Sequence, residues 1–277
     1  MNNLREYFKE RFPLSFTIVY SLATAAMLVG ISTSGGNSQA LFGIALSFLF
    51  FMLRTRVTDE FKDASHDSAN YPNRPVQRGI ITKGQLVAIG IISLGLEITG
   101  VALAASATLH PEAGLLYLLI MAYSVLTAFE FLATEYLDKH FNLYFLSHQA
   151  IFLLYPIWLF SMFGTAWTSQ SVAGGAAFII LMASLEVMRK YELRRNPAGE
   201  VVKDTYLAVW GSGAFWVMFL SAAVCAGLFG YLKETNWFFL SGGIVCLLML
   251  ILKKKNQAVR GIVILGYLVS AGMCYFV

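Results

Sequence analysis

The chain has 277 residues, of which 57% are hydrophobic and only 13% charged, with a formal net charge of +4. That composition excludes an ordinary soluble domain, where charged residues make up about a quarter of the chain. The small positive excess lies in loops and does not suggest a nucleic-acid-binding surface. The apolar residues come in long runs, as in a helical protein that crosses a membrane many times. Cys225, Cys246 and Cys274 sit inside those runs without metal-ligand spacing and read as small buried hydrophobes.

The chain begins with a mixed-charge amphipathic stretch, Arg5 to Arg11, expected to be an interfacial helix rather than a cleaved signal. Nine spans follow, at roughly 14–32, 39–56, 84–108, 113–134, 141–163, 171–188, 207–231, 236–252 and 259–277, with the second continuing toward a polar stretch. With the N-terminus inside, 19 of the 20 Lys and Arg residues fall on the inner side, all but Lys233, which sets the orientation. Both large polar loops, 57–83 after the second span and 189–206 after the sixth, then face the cytoplasm. The expected fold is all-α: a single domain over 1–277, nine transmembrane helices around a central cavity. It divides into pseudo-repeat halves at about 14–134 and 141–252, with 259–277 as the ninth helix. The expected location is an integral multi-pass position, in a bacterial plasma membrane.

The first polar loop opens with Asp59, Glu60, Asp63 and Asp67. Asp59, Asp63 and Asp67 recur at every fourth position, so a helix would line them up on one face. Like charges so placed repel unless a cation lies between them, and a hard ion such as Mg²⁺ suits carboxylate oxygens. The basic segment close behind, with Arg74 and Arg78, would suit a phosphate that the metal also touches.

These residues carry a resemblance. Asp59-Glu60-x-x-Asp63-x-x-x-Asp67 is similar to the Asn-Asp-x-x-Asp-x-x-x-Asp motif of the UbiA-type prenyltransferase superfamily. The following Asn73-Arg74-Pro75-Val76-Gln77-Arg78-Gly79 resembles the Asn-x-Arg-Pro-x-x-x-Gly segment behind it there. One departure is that Asp59 stands where the family has Asn. The resemblance implies an intramembrane enzyme that binds and ionises an isoprenyl diphosphate with Mg²⁺. It places metal contacts at Glu60, Asp63 and Asp67, Asp59 at the Asn position, and a basic contact at Arg74. A diphosphate leaves readily only when its developing charge is neutralised, which metal ions with Arg or Lys accomplish.

The second loop stands where that family has its second Asp-rich motif, and Gly199 and Thr205 resemble the motif's trailing Gly and Thr. It offers Glu186 and Glu192 separated by Arg189 and Lys190. Glu186 is expected either to contact a metal or water, or to pair with Lys190 one turn on. In the first case Arg189 and Lys190 supply charge to the diphosphate, and Lys203 is a further phosphate contact. Within the spans, Glu97 and Glu130 are ionisable groups in apolar helices and therefore candidates for function. Glu97 is expected to make a structural contact. Glu130, two turns after Tyr123, is either a general base or a protonated, hydrogen-bonded group. Tyr123-Ser124 looks like a Tyr-Ser pair of that family's fourth span, without the basic residues that often follow it. His148 is expected to line the cavity mouth or to pack in the bundle.

The reading that follows is transfer of an isoprenyl group from isoprenyl diphosphate to a small-molecule acceptor, an aromatic or quinone precursor by analogy, in contact with membrane lipids. The alternatives are an intramembrane terpene cyclase using the same diphosphate, and a non-catalytic lipid-binding or scaffolding protein. A transporter fits less well, because the charges cluster at one membrane face and not at the midplane.

Overall fold

A computed structural model describes residues 2–33 and 36–276. Among the described residues the regular elements are all helical apart from a hairpin of two two-residue strands. Eight helical stretches among the described residues are long and apolar enough to cross a membrane, and a ninth, Trp237–Ile251, is apolar but shorter. The chain is thus a multi-pass, all-α membrane protein. The expected end of the last span, Val277, lies outside the described residues. The residues form two compact units, 1–25 with 37–164, and 26–36 with 165–277.

In the first unit, α1 (Asn2–Arg11) leads through Pro13 into α2 (Leu14–Ser32). After it, α3 (Ser38–Lys62) is capped by the Asn37 side chain, which accepts from Ala40 N. It runs past the expected end of the second span and carries the helix into the polar stretch. Next come α4 (Ala64–Asn70) and α5 (Lys83–Ala105), the latter opened by a capping box between Thr82 and Gln85. The helices α3 and α5 cross where Gly43 meets Gly100, so closely that a Cβ on either would run into the other helix's backbone. Small residues permit this approach between membrane helices.

The helix α5 is inverted relative to a soluble helix. It buries Ser93 and Glu97 while Ile91 and Ile92 point outward. Glu97 is completely buried and receives a fork from Arg54 of α3, Nε to Oε2 at 2.6 Å and Nη2 to Oε1 at 2.9 Å. Tyr117 OH donates to the same carboxylate at 3.0 Å, and Arg54 Nη1 also donates to Ser124 Oγ at 3.1 Å. Tyr117 and Ser124 both belong to α6 (Tyr117–Ala128), so one ion pair ties three helices together. The structural contact expected of Glu97 is what the geometry displays.

The fourth span ends earlier than its hydropathy suggests. At Glu130, Phe131 and Leu132 the backbone turns left-handed for three residues running, with φ of 48°, 55° and 59°. Three non-glycine residues there are costly, because Cβ meets the following carbonyl oxygen. The unit then closes with α7 (Thr134–Lys139), α8 (Phe141–Gln149) and α9 (Leu154–Phe163), the last capped by Gly164 at φ 67°.

In the second unit, the end of α2 meets α14 (Asn256–Phe276), Gly30 packing directly on the Cys274 backbone. The helix α10 (Ser169–Arg189), opened by a Thr168–Ser171 capping box, lies beside α12 (Ser212–Lys233), where Cys225 Sγ donates to Ala177 O at 3.3 Å. Between them the chain forms the hairpin β1 (Arg194–Arg195) and β2 (Val201–Val202), then α11 (Tyr206–Trp210). The seventh span is split at Gly211, φ 54°, instead of running straight from 207. The short apolar helix α13 (Trp237–Ile251) packs Phe238 against Phe229 of α12.

Glu97→Ala is expected to cost roughly 3–5 kcal/mol, the scale of stripping one partner from a buried ion pair, whereas Arg54→Met combined with Glu97→Leu should recover most of it. Thermal unfolding in detergent reads both, and a single variant as stable as the parent would refute a structural role for the pair. Leu132 is 85% exposed, so Leu132→Gly removes little packing while relieving the left-handed backbone. A gain on the order of 1 kcal/mol is expected, and an unchanged or lower Tm would show that the turn is not strained there.

Candidate active site

The acidic residues of the first loop do not form the uniform stripe that their spacing suggests. The helix breaks at Asp63 (φ −88°, ψ 8°), which ends α3 and starts α4. Backbone bonds from Asp63 N to Asp59 O and from Asp67 N to Asp63 O, both 2.8 Å, carry the chain round the corner. The side chains divide into two classes. Asp59 and Asp63 are 42% and 44% exposed, whereas Glu60 and Asp67 are buried at 0% and 3%.

The buried pair is held by arginines. Glu60 Oε1 accepts from Arg11 Nε at 2.7 Å and from Arg56 Nε and Nη2 at 3.2 and 2.9 Å. Its other oxygen, Oε2, is buried without a hydrogen-bond partner among the described residues. Asp67 pairs closely with Arg74 and, at 3.6 Å, with Arg11 Nη2. The Arg74 guanidinium lies 3.9 Å from the centre of the Tyr71 ring, a cation–π contact that adds to its placement. Arg78 is directed to α1, donating to Glu6 at 2.9 Å and Glu10 at 2.8 Å. Tyr7 of α1 is completely buried beside Val57, Ile81 and Leu86. Burial, and after it the Glu60 carboxylate, push its phenol well above the usual tyrosine range.

The exposed pair shares one cation. Lys62 Nζ lies 3.9 Å from Asp59 Oδ1 and 4.0 Å from Asp63 Oδ1. It also lies 3.5 Å from Glu130 Oε1 and 5.7 Å from the centre of the Tyr144 ring. The left-handed turn thus brings Glu130 to the acidic corner, although the two are far apart in sequence. Glu130 is buried, and its Oε2 has no hydrogen-bond partner among the described residues.

Three aromatic groups extend this cluster. Tyr123 OH donates to Ser147 O at 2.8 Å, and its ring meets Phe131 edge-on at 5.5 Å. His148 stacks on Tyr144 at 4.1 Å and meets Phe131 at 6.0 Å. His148 Nδ1 lies 2.8 Å from the Tyr144 carbonyl. A carbonyl only accepts, so Nδ1 carries the hydrogen and Nε2 of the neutral ring is left as an acceptor.

In the second unit, Glu186 is paired within its own helix turn. Arg189 grips it with two bonds of 2.8 Å, Lys190 Nζ is 3.7 Å away, and Tyr206 OH donates at 3.4 Å. Glu192 accepts from Arg194 at 2.7 Å and from Arg260 at 3.0 Å, and its carbonyl from Thr205 Oγ1 at 2.7 Å. Arg194 also reaches Asp204 at 3.6 Å, while Lys203 is exposed just after β2.

Among the described residues no three His, Cys, Asp or Glu side chains converge as a self-sufficient metal cage. Mg²⁺ rarely requires one, since it is usually held by one or two carboxylates with waters and substrate phosphate oxygens. The half-exposed Asp59 and Asp63 offer that donor set, and their all-oxygen chemistry fits the ion. Arg11 escaped the sequence reading, being 49 positions from Glu60.

No protein-family model matches the sequence, and no curated protein matches it. Solved structures do. A UbiA homologue from Aeropyrum pernix K1, in its apo form, aligns with a TM-score of 0.62 at 16% identity, covering 94% of this chain and 97% of that one. A digeranylgeranylglyceryl phosphate synthase aligns at 0.56 and 15% identity, over 98% and 99% of the two chains. A UbiA homologue from Archaeoglobus fulgidus, bound to GPP and Mg²⁺, aligns at 0.55 and 15% identity, over 98% and 100%. Likeness at such identities is one of fold, and along almost its whole length this chain has the fold of the UbiA homologues.

Proposed function

We propose that the chain is an intramembrane, Mg²⁺-dependent transferase that moves an isoprenyl group from an isoprenyl diphosphate to a small-molecule acceptor and releases pyrophosphate. The observation that carries the reading is the division of the acidic loop, two carboxylates buried against arginines and two presented half-exposed beside Lys62. The likeness in fold to a UbiA homologue bound to GPP and Mg²⁺ supports it. The cytoplasmic placement of this loop is supported by the positive-inside distribution of Lys and Arg.

On this reading Asp59 and Asp63 hold the ion. When bound, the ion offsets the negative charge that grows on the diphosphate as its bond to carbon breaks. Lys62 keeps the two aspartates from repelling each other while the site is being loaded, and Arg74 adds fixed positive charge behind them. The C–O bond breaks with its electron pair leaving on pyrophosphate. The acceptor's nucleophilic atom then supplies the pair for the new bond to carbon, and its proton goes to Glu130. The aromatic faces of Tyr123, Phe131 and Tyr144 suit an allylic cation, since ring faces attract positive charge. His148 Nε2 is a ready acceptor for a hydrogen bond from the incoming group. An aromatic or quinone-precursor acceptor is our first choice, by likeness to the superfamily.

Purified protein incubated with isoprenyl diphosphates of several lengths is expected to release pyrophosphate only with Mg²⁺ and an acceptor pool, and EDTA should abolish the reaction. Hydrocarbon or alcohol products without acceptor would favour a cyclase, and no pyrophosphate release under any condition would sink both readings. Asp59→Ala and Asp63→Asn should each lower turnover by roughly 10²-fold or more, the scale of losing one preorganised electrostatic contact. Neither should lower Tm much, because both side chains are half-exposed. Near-parent turnover in both variants would remove the metal from these residues.

A further inference from the structure

The helix α1 is fastened to the acidic loop at three places. Tyr7 is buried among Val57, Ile81 and Leu86, Glu6 and Glu10 receive Arg78, and Arg11 reaches both Glu60 and Asp67. The third contact differs in kind from the others. Glu60 belongs to α3 and Asp67 to α4, and the corner between them is Asp63. Arg56 secures Glu60 from within α3 itself, and Arg74 secures Asp67 from the segment after α4. Among the described residues neither of those side chains makes an ion pair on both helices, whereas the single guanidinium of Arg11 spans the bend alongside the backbone bonds at Asp63, Nε on Glu60 Oε1 and Nη2 toward Asp67 Oδ2. A planar fork with several donors can serve two carboxylates in fixed directions, which a lysine ammonium cannot.

The geometry points to Arg11 as a positioning residue of the site: by bridging Glu60 and Asp67 it sets the angle between α3 and α4, and so presents Asp59 and Asp63 together to a divalent cation and a diphosphate. The inference rests on the functional reading above. It makes α1, which carries none of the acidic motif, a working part of it. The loop's two classes of carboxylate then have distinct duties, the buried ones serving as anchor points for the clamp and the half-exposed ones facing the ligand.

The test uses the full chain in detergent or nanodiscs, comparing the parent with Arg11→Ala and Arg11→Lys, the latter keeping the charge should the alanine variant fail to fold. Two readouts are taken on each: hydrogen exchange of the α4 amides, and Mn²⁺ binding followed by electron paramagnetic resonance, with and without GPP. Both variants should exchange faster through Ala64–Asn70 while α5 stays as protected as in the parent. Both should bind Mn²⁺ roughly tenfold or more weakly, as when a partner that orients a metal ligand is lost. Unchanged α4 exchange overturns the clamp. Faster exchange with parent-like Mn²⁺ affinity overturns the positioning role, leaving α1 as a fold element only. If the parent itself fails to bind Mn²⁺ under either condition, the functional reading falls, and the α4 exchange still decides whether Arg11 couples the two helices.

Discussion

A carboxylate taken out of water into a helix bundle must be matched by a fixed cation or donor, and in the first unit this requirement organises nearly everything else. Glu97 is met by Arg54 and Tyr117, and in being met it binds α3, α5 and α6 together. Glu60 and Asp67 are met by Arg11, Arg56 and Arg74, which draws α1 and the segment after α4 onto the acidic loop. Between membrane helices there is little hydrophobic driving force, so such pairs and close backbone approaches like that of Gly43 and Gly100 carry the specificity of packing.

The same requirement divides the carboxylates of a single motif into buried and half-exposed ones. Carboxylates buried against arginines are poorly placed to meet a ligand. Those left half-exposed beside one shared lysine can exchange that lysine for a stronger positive charge. Lys62 is the pivot, since it also meets Glu130, which reaches the corner only because the backbone turns left-handed at three consecutive residues. Sparsely populated backbone of this kind persists only where its surroundings enforce it, and it gathers at working sites. Here the turn carries Phe131, whose ring meets Tyr123 and His148, and His148 stacks in turn on Tyr144.

Much of this was legible in the chain. Apolar runs give spans because a bilayer demands a certain length of uninterrupted hydrophobicity, and eight of the nine anticipated spans meet that measure, with Trp237–Ile251 shorter. The acidic loop stood out because charge is rare in so apolar a sequence. The early end of the fourth span was hidden, since Glu130-Phe131-Leu132 contains neither Gly nor Pro to announce a turn. The single stripe of aspartates was drawn from helical spacing alone, which places residues on a face but not the arginines that rotate one of them inward. Glu186, read either as a metal contact or as half of an ion pair, lies against Arg189 and Lys190 within its own turn of helix.

The helical, membrane-crossing class and the position of the acidic loop were readable from the chain, because hydropathy and local spacing act over a few turns of one helix. Which carboxylates of that loop are buried against arginines and which are half-exposed was settled by tertiary contacts. That choice depends on Arg11 and Glu130, and the chain brings both to the corner from distant segments, one by an N-terminal helix anchored through Tyr7 and the other by a left-handed turn. Charge pairing in a low-dielectric interior follows proximity in space, and proximity in space is what a linear pattern does not encode.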